Sequence, residues 1–117
     1  WGPPGGRNHT YPYPGNPPVP IGGGGAGPCI VLVVKCNGFV SVFHFTAGID
    51  SPGRTLRSFS WPPGCSALVC GGDRDPQSRC AADGVVREAR DRFSPVTVAI
   101  GKSQCGVGAD GEWYVGS

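Results

Sequence analysis

Two β-branched runs joined by an Asn-Gly dipeptide constrain the fold of this chain more than any other feature. Residues 29–36 read CIVLVVKC, and residues 39–46 read FVSVFHFT. Asn-Gly between two such runs is the strongest short-range signal for a β-hairpin with a two-residue turn. The predicted cross-strand pairs are Cys36 with Phe39, Val31 with His44, and Cys29 with Thr46. The hairpin 29–46 therefore fixes which side chains lie beside one another.

The second strand of this hairpin is largely apolar on both faces. Val40 and Val42 share one face with His44, while Phe43 and Phe45 share the other. We therefore expect a central strand that is covered on both sides. Further strands are predicted near 55–61, 66–70, 96–100 and 112–115, and loops at 47–54 and 101–111.

One main helix is predicted near 76–93. Asp75 can cap its first turn, Pro76 suits its first position, and apolar residues then recur at helical spacing up to Phe93. Together with the strands, this helix predicts an α+β fold, a mostly antiparallel sheet with one covering helix.

The 117 residues correspond to a single domain of modest core size. Nine glycines and eight prolines fall in residues 1–28, which predicts a linker without packed elements. Residues 29–117 are expected to form one compact domain.

Charge and hydropathy disfavour two classes of partner. The net charge is +2 and basic residues are interspersed with acidic ones, so nucleic-acid binding has little electrostatic support. No apolar run approaches the roughly 20 residues of a membrane span. Six cysteines and no methionine favour an exported protein.

The cysteines allow either crosslinks or chemistry. Cys29 and Cys36 stand at the two ends of one predicted strand, roughly 23 Å apart, and cannot bridge each other. One or two disulfides are predicted among Cys65, Cys70, Cys80 and Cys105. The cysteine spacing does not fit common zinc sites, so we predict no metal and no other cofactor.

A thiol enzyme is the sharper hypothesis. Cys65 follows a Gly64 turn at the start of a strand, and His44 can serve as its base. Thr46 shares the face of His44 and can orient the imidazole, as can Asp73 or Asp50 from a loop. Cys80, early in the helix, is a second candidate nucleophile. The plain alternative is that His44 is a core histidine bonded to a backbone carbonyl.

Two resemblances add a biological context. Residues 5–17, GGRNHTYPYPGNP, resemble the junction at the end of a Rhs/YD-repeat shell, where a Y-x-Y-x-x-N-P signature precedes a variable C-terminal toxin domain. The Asp-Pro-x-Gly-Leu cleavage element of that family is absent. The resemblance implies a toxin-like domain at 29–117, a Rhs shell before release, and a cognate immunity protein. It also implies delivery into a target cell by a specialised secretion system.

The second resemblance concerns the chemistry. Gly64-Cys65-Ser66 and Phe43-His44-Phe45-Thr46 resemble parts of the cysteine glutamine deamidases of the cytotoxic-necrotizing-factor and CheD group. In that group the histidine follows the cysteine, whereas His44 precedes Cys65, so a permuted arrangement would be needed.

These observations predict a secreted, monomeric effector that deamidates a target-cell protein through Cys65, His44, Thr46 and Asp73. The rival hypothesis is a disulfide-stapled toxin that acts without a thiol, by target binding or through an acid–base or ADP-ribosyl site around His44. A third option is a structural cap domain without enzymatic activity.

Overall fold

The structure, a computed structural model, describes residues 8–12, 21–23 and 27–116. In chain order its elements are β1 (Asn8–Pro12), β2 (Ile21–Gly23), β3 (Ile30–Cys36), β4 (Phe39–Phe45), α1 (Pro52–Arg57), β5 (Ser66–Gly71), α2 (Pro76–Arg90), β6 (Val96–Ile100), β7 (Gln104–Val107) and β8 (Trp113–Gly116). The α+β class, with mostly antiparallel strands and one main helix, is confirmed.

The strands form two sheets. The larger has the order β1-β4-β3-β5-β6, and the smaller has the order β2-β7-β8. The β3–β4 hairpin has the predicted register, with Val31 beside His44 and Cys36 beside Phe39. The pair β5–β6 is parallel, and α2 makes the crossover between these two strands.

Both faces of the larger sheet are buried, as predicted for β4. One face packs against α1 and α2 in a helix-side core that includes Phe43, Phe45 and Leu56. The other packs against the smaller sheet in an inter-sheet core that includes Val42 and Val107. His44 lies on the inter-sheet side of β4, because side chains alternate along a strand.

Two disulfides crosslink this arrangement. Cys70 of β5 bonds to Cys105 of β7 with a Cα–Cα distance of 6.2 Å, which joins the two sheets through the inter-sheet core. Cys36 at the end of β3 bonds to Cys65 with a Cα–Cα distance of 4.3 Å. The first pair lies within the predicted set, whereas Cys36 was not expected to take part.

The predicted strand near 55–61 is wrong. Residues 52–57 form α1, because Pro52 suits its first turn and the Ser51 hydroxyl accepts a hydrogen bond from the Arg54 N–H. Leu56 of α1 and the partly buried Trp61 both contact the helix-side core. A helix followed by an irregular segment thus produced an apparent period of two.

Three further strands were not predicted. β7 lies in the expected loop 101–111, while β1 and β2 lie in the expected linker 1–28. Gly23 shows why the glycine-rich β2 pairs at all: a Cβ there would come within 2.7 Å of a Val31 methyl. Glycine is thus required where β2 crosses the larger sheet closely.

The bounds of α2 and β8 differ from the predictions by one to three residues.

The short helix α1 depends on one buried side chain. Leu56 is fully buried in the helix-side core. We expect Leu56→Ala to lower the free energy of unfolding by about 2–5 kcal/mol, because it leaves a cavity. The matched control is Ile49→Ala, since Ile49 is 80% exposed and its loss should change stability by less than about 0.5 kcal/mol. Urea unfolding of both variants measures the difference.

Candidate functional site

The structure does not bring Cys65 and His44 together. Cys65 lies beside Cys36 at the turn end of the hairpin, whereas His44 pairs with Val31 near its open end. Five residues of extended strand separate Val31 from Cys36, roughly 16 Å. Cys65 also belongs to the helix-side core, on the opposite face of the sheet from His44. The structure therefore does not form the expected pair of Cys65 with His44.

Cys65 also lacks a free thiol. Its sulfur is bonded to Cys36, and the residue is 3% exposed. A disulfide-bonded sulfur cannot act as a thiolate nucleophile. In this structure Cys65 therefore has a crosslinking role in the core.

Cys29 is the cysteine that the structure places near His44. It is free and half-buried, and its carbonyl accepts a hydrogen bond from the Gly72 N–H at 3.0 Å. Ile30 pairs with Phe45, so continuing the register by one residue puts Cys29 beside Thr46 and diagonal to His44. Diagonal neighbours in an antiparallel pair have Cα atoms about 7–8 Å apart, with Cβ atoms somewhat closer.

The sequence already contained the signal for Cys29. The Asn-Gly turn predicted the pair Cys29–Thr46. The nucleophile was nevertheless assigned to Cys65, because a glycine turn precedes that residue. Cys29 and Thr46 now line one groove of about 360 Å³, which we call the Cys29 groove. Its other lining residues are Pro28, Ala47, Asp73, Asp75, Gln77 and Ser78.

Asp73, in the loop between β5 and α2, lines the same groove as Thr46. The buried Ser78 accepts a hydrogen bond from the Asp73 N–H at 2.9 Å, and its hydroxyl donates to the Pro28 carbonyl at 2.8 Å. The Asp73 carboxylate accepts from the Asp75 N–H at 2.9 Å. Thr46 and Asp73, both predicted site residues, are therefore brought to one groove, together with Cys29.

The turn after β4 fixes the other wall of the groove. The Thr46 N–H donates to the Asp50 carboxylate at 2.6 Å, and the Thr46 carbonyl accepts from the N–H groups of Ile49 and Asp50. Gly48 has φ of +79°, in the left-handed region that favours glycine, and a Cβ there would meet the flexible side chain of Gln77. The backbone conformation of this turn therefore requires glycine.

His44 is 6% exposed, and its Nδ1 has no hydrogen-bond partner within the described residues. Burial lowers the pKa of this imidazole below its ordinary value of 6.5, and the nearby Asp50 carboxylate offsets part of that effect. The neutral form is thus favoured at neutral pH, which is the form that accepts a proton.

The lowered pKa of His44 makes stability depend on pH. Between the folded-state pKa and 6.5 the unfolded chain binds the proton more readily, so stability falls as pH drops through 6.5. We expect His44→Gln to remove this part of the acid sensitivity. Urea unfolding above and below pH 6.5, compared between the two proteins, tests the expectation. An identical pH dependence in both would contradict it.

A second cavity lies between α1 and α2. It measures about 400 Å³ and shares Thr46 and Gln77 with the Cys29 groove. We call it the helix-pair cavity. The exposed, free Cys80 lines it, together with Arg57 and Arg87. α2, which carries Cys80, packs on the helix side of the larger sheet, whereas His44 lies on the inter-sheet side, so the two residues do not form a pair.

Two classes of feature are absent from the described ranges. No group of three or more His, Cys, Asp or Glu side chains there could hold a metal ion. Within the same residues no helix has the length and apolar character needed to cross a bilayer.

Comparison with known proteins assigns no relative. No protein-family model matches the chain, and no curated protein matches it significantly.

Proposed function

We propose that this chain is a secreted effector domain of the toxin type, and that it is a cysteine-dependent amide hydrolase with Cys29 as the nucleophile. The observation that carries the proposal is the position of Cys29, a free thiol in a groove beside Thr46 and diagonal to His44. A partly exposed thiol near a neutral imidazole has the components of thiol catalysis.

With Cys29 as the nucleophile, the chain order of the pair agrees with that of the glutamine deamidases, while the Gly64-Cys65-Ser66 sequence that resembles their cysteine turn belongs to the crosslink. In that group the histidine follows the cysteine along the chain, and His44 follows Cys29. A permuted arrangement is no longer needed, so the order of the two residues supports a deamidase-like activity.

The proposed reaction has two steps. Cys29 transfers its proton to His44, and its sulfur attacks the side-chain amide carbon of a target glutamine. The imidazolium gives the proton to the departing nitrogen, so ammonia leaves and a thioester forms. His44 then deprotonates a water molecule that attacks the thioester; the carbon–sulfur bond breaks, the thiol recovers its proton, and glutamate is released.

Other residues have supporting roles in this proposal. Thr46, the residue that follows β4 and stands two positions beyond His44, orients the imidazole. Asp50 acts through its charge, which opposes the effect of burial on His44. Asp73 lines the Cys29 groove, where its carboxylate can accept a hydrogen bond from the substrate amide nitrogen.

The described structure contains two disulfides, which are compatible with a secreted or extracellular protein. The proposal also includes release from a Rhs shell and delivery into a target cell. There the domain acts as a monomer on a target-cell protein and is neutralised by an immunity protein. The Rhs-like residues 5–17 support that part.

The proposal is tested by treating a target-cell lysate with the protein and measuring released ammonia. Mass spectrometry of the same lysate locates glutamines converted to glutamate. We expect both signals with the native chain and with Cys80→Ser, and neither with Cys29→Ser. Equal signals from the native chain and from Cys29→Ser would overturn the proposal.

A second candidate function is favoured by the crosslinks themselves. Four cysteines are in disulfides, including Cys65. This supports a disulfide-crosslinked toxin that works without a thiol, through target binding or an acid–base or ADP-ribosyl site at His44. Toxicity that persists in Cys29→Ser and disappears in His44→Gln would favour the acid–base form.

A further inference from the structure

The helix-pair cavity adjoins the Cys29 groove through a shared wall. Thr46 and Gln77 line both cavities, and Gln77 is exposed. A polypeptide that places its glutamine at Cys29 and continues across this wall enters the helix-pair cavity. The side chains in the helix-pair cavity are those that would meet the residues flanking that glutamine.

The charged side chains of this cavity differ in whether they have a hydrogen-bond or ion-pair partner. Four charged side chains line it: Arg57, Arg87, Asp50 and Glu88. The carboxylate of Asp50 accepts the Thr46 N–H at 2.6 Å, and that of Glu88 forms an ion pair with Arg92 at 3.1 Å. Among the described residues, the pair Glu88–Arg92 is the one ion pair within 4.0 Å, so neither Arg57 nor Arg87 has a carboxylate partner.

Both unpaired arginines stand at the ends of helices. Arg57 ends α1, and Arg87 lies in the last turn of α2. A guanidinium offers a planar fork of donors that fits a carboxylate in a bidentate way. Glu88 is paired with Arg92 and Asp50 keeps its charge while it accepts the Thr46 N–H, so Arg57 and Arg87 are the groups of this cavity with donors left for an anion.

We propose, resting on the function proposed above, that the helix-pair cavity binds an Asp or Glu side chain of the target segment through Arg57 and Arg87. The substrate class is then a glutamine with an acidic residue a few positions away. Arg57 and Arg87 select the segment and touch no reacting atom.

Cys80 offers a reporter inside this cavity that does not depend on catalysis. In the Cys29→Ser protein, we would measure the alkylation rate of Cys80 by iodoacetate and by uncharged iodoacetamide. The ratio of the iodoacetate rate to the iodoacetamide rate is expected to fall on the order of three- to tenfold when Arg57 and Arg87 are both changed to glutamine. Arg90→Gln is the matched control, because Arg90 lies on the same helix outside this cavity, and the ratio should stay unchanged.

A second arm uses the peptide acetyl-Gly-Gln-Glu-Gly-amide and its Gln-Lys counterpart. The Glu peptide should slow alkylation of Cys80 by iodoacetamide, the Lys peptide should not, and the double arginine variant should lose the protection. Equal behaviour of the two peptides, or a rate ratio that ignores the two arginines, would overturn the proposal. Failure of the amide hydrolase proposal would register separately, as absent ammonia release from the native chain.

Discussion

Replacing Cys29 by serine is expected to reduce amide hydrolysis to background while leaving the fold intact. The side chain is partly exposed, and serine preserves its size, so unfolding in urea should be nearly unchanged. A hydroxyl is a far weaker nucleophile than a thiol whose proton a neutral imidazole can take. His44→Gln should lower the rate by about 10²–10⁴-fold, since the general base is lost. Ammonia release under single-turnover conditions measures both effects.

The control for this prediction is Cys80→Ser. Cys80 is the other free cysteine among the described residues, and it lines a different cavity from Cys29. Its replacement should leave the rate within about twofold of the native value, because it touches no reacting atom. An inactive Cys80→Ser together with an active Cys29→Ser would show that Cys29 is not the nucleophile.

The second large effect is expected from removing the disulfide between the two sheets. We expect the double change Cys70→Ala and Cys105→Ala to lower the free energy of unfolding by about 2–5 kcal/mol. The bridge closes a long loop, with a sequence separation of 35, and both residues are fully buried. For a small domain of about 5–15 kcal/mol total stability, this is a large share.

Urea unfolding under non-reducing conditions measures that loss, with Cys80→Ala as the control that removes a free, exposed thiol. The inter-sheet core should loosen in the double variant, and His44 should become more accessible. The pKa of His44 should then move back toward 6.5, which NMR titration of its imidazole can follow. Unchanged stability in the double variant would show that this bridge does not hold the sheets together.

The parts of the fold that the sequence predicted are those with strong local signals. The Asn-Gly turn determined the β3–β4 register, because a two-residue turn leaves a single pairing that buries both apolar faces. Asp75 and Pro76 located the start of α2 for a similar reason, since a cap and a fixed φ act within one turn. β6 was predicted with its observed bounds.

The parts that were not predicted depend on contacts distant in the sequence. β2 is three residues long, and two of them are glycines, so no local pattern marks it. It forms because β7 supplies a pairing edge. The residues of α1 were predicted as the end of a loop and the start of a strand, because six residues make too short a helix for periodicity to be distinctive.

The candidate site likewise has a part that the sequence predicted and a part that it did not. His44, Thr46 and Asp73 follow from the hairpin and from the loop before α2, and the structure places the last two in one groove. The choice among cysteines depended on disulfide pairing, which spacing alone cannot determine. The bond between Cys36 and Cys65 joins the ends of two adjacent strands, and the pairing of β3 with β5 was not part of the predicted topology.

The central claim is that Cys29 is the free thiol beside His44, while Cys65 is a crosslink. Peptide mapping of the native protein after alkylation under non-reducing conditions tests it most directly. We expect linked peptides for Cys36–Cys65 and Cys70–Cys105, with the alkyl group on Cys29 and Cys80. Alkylated Cys65 together with bridged Cys29 would contradict it.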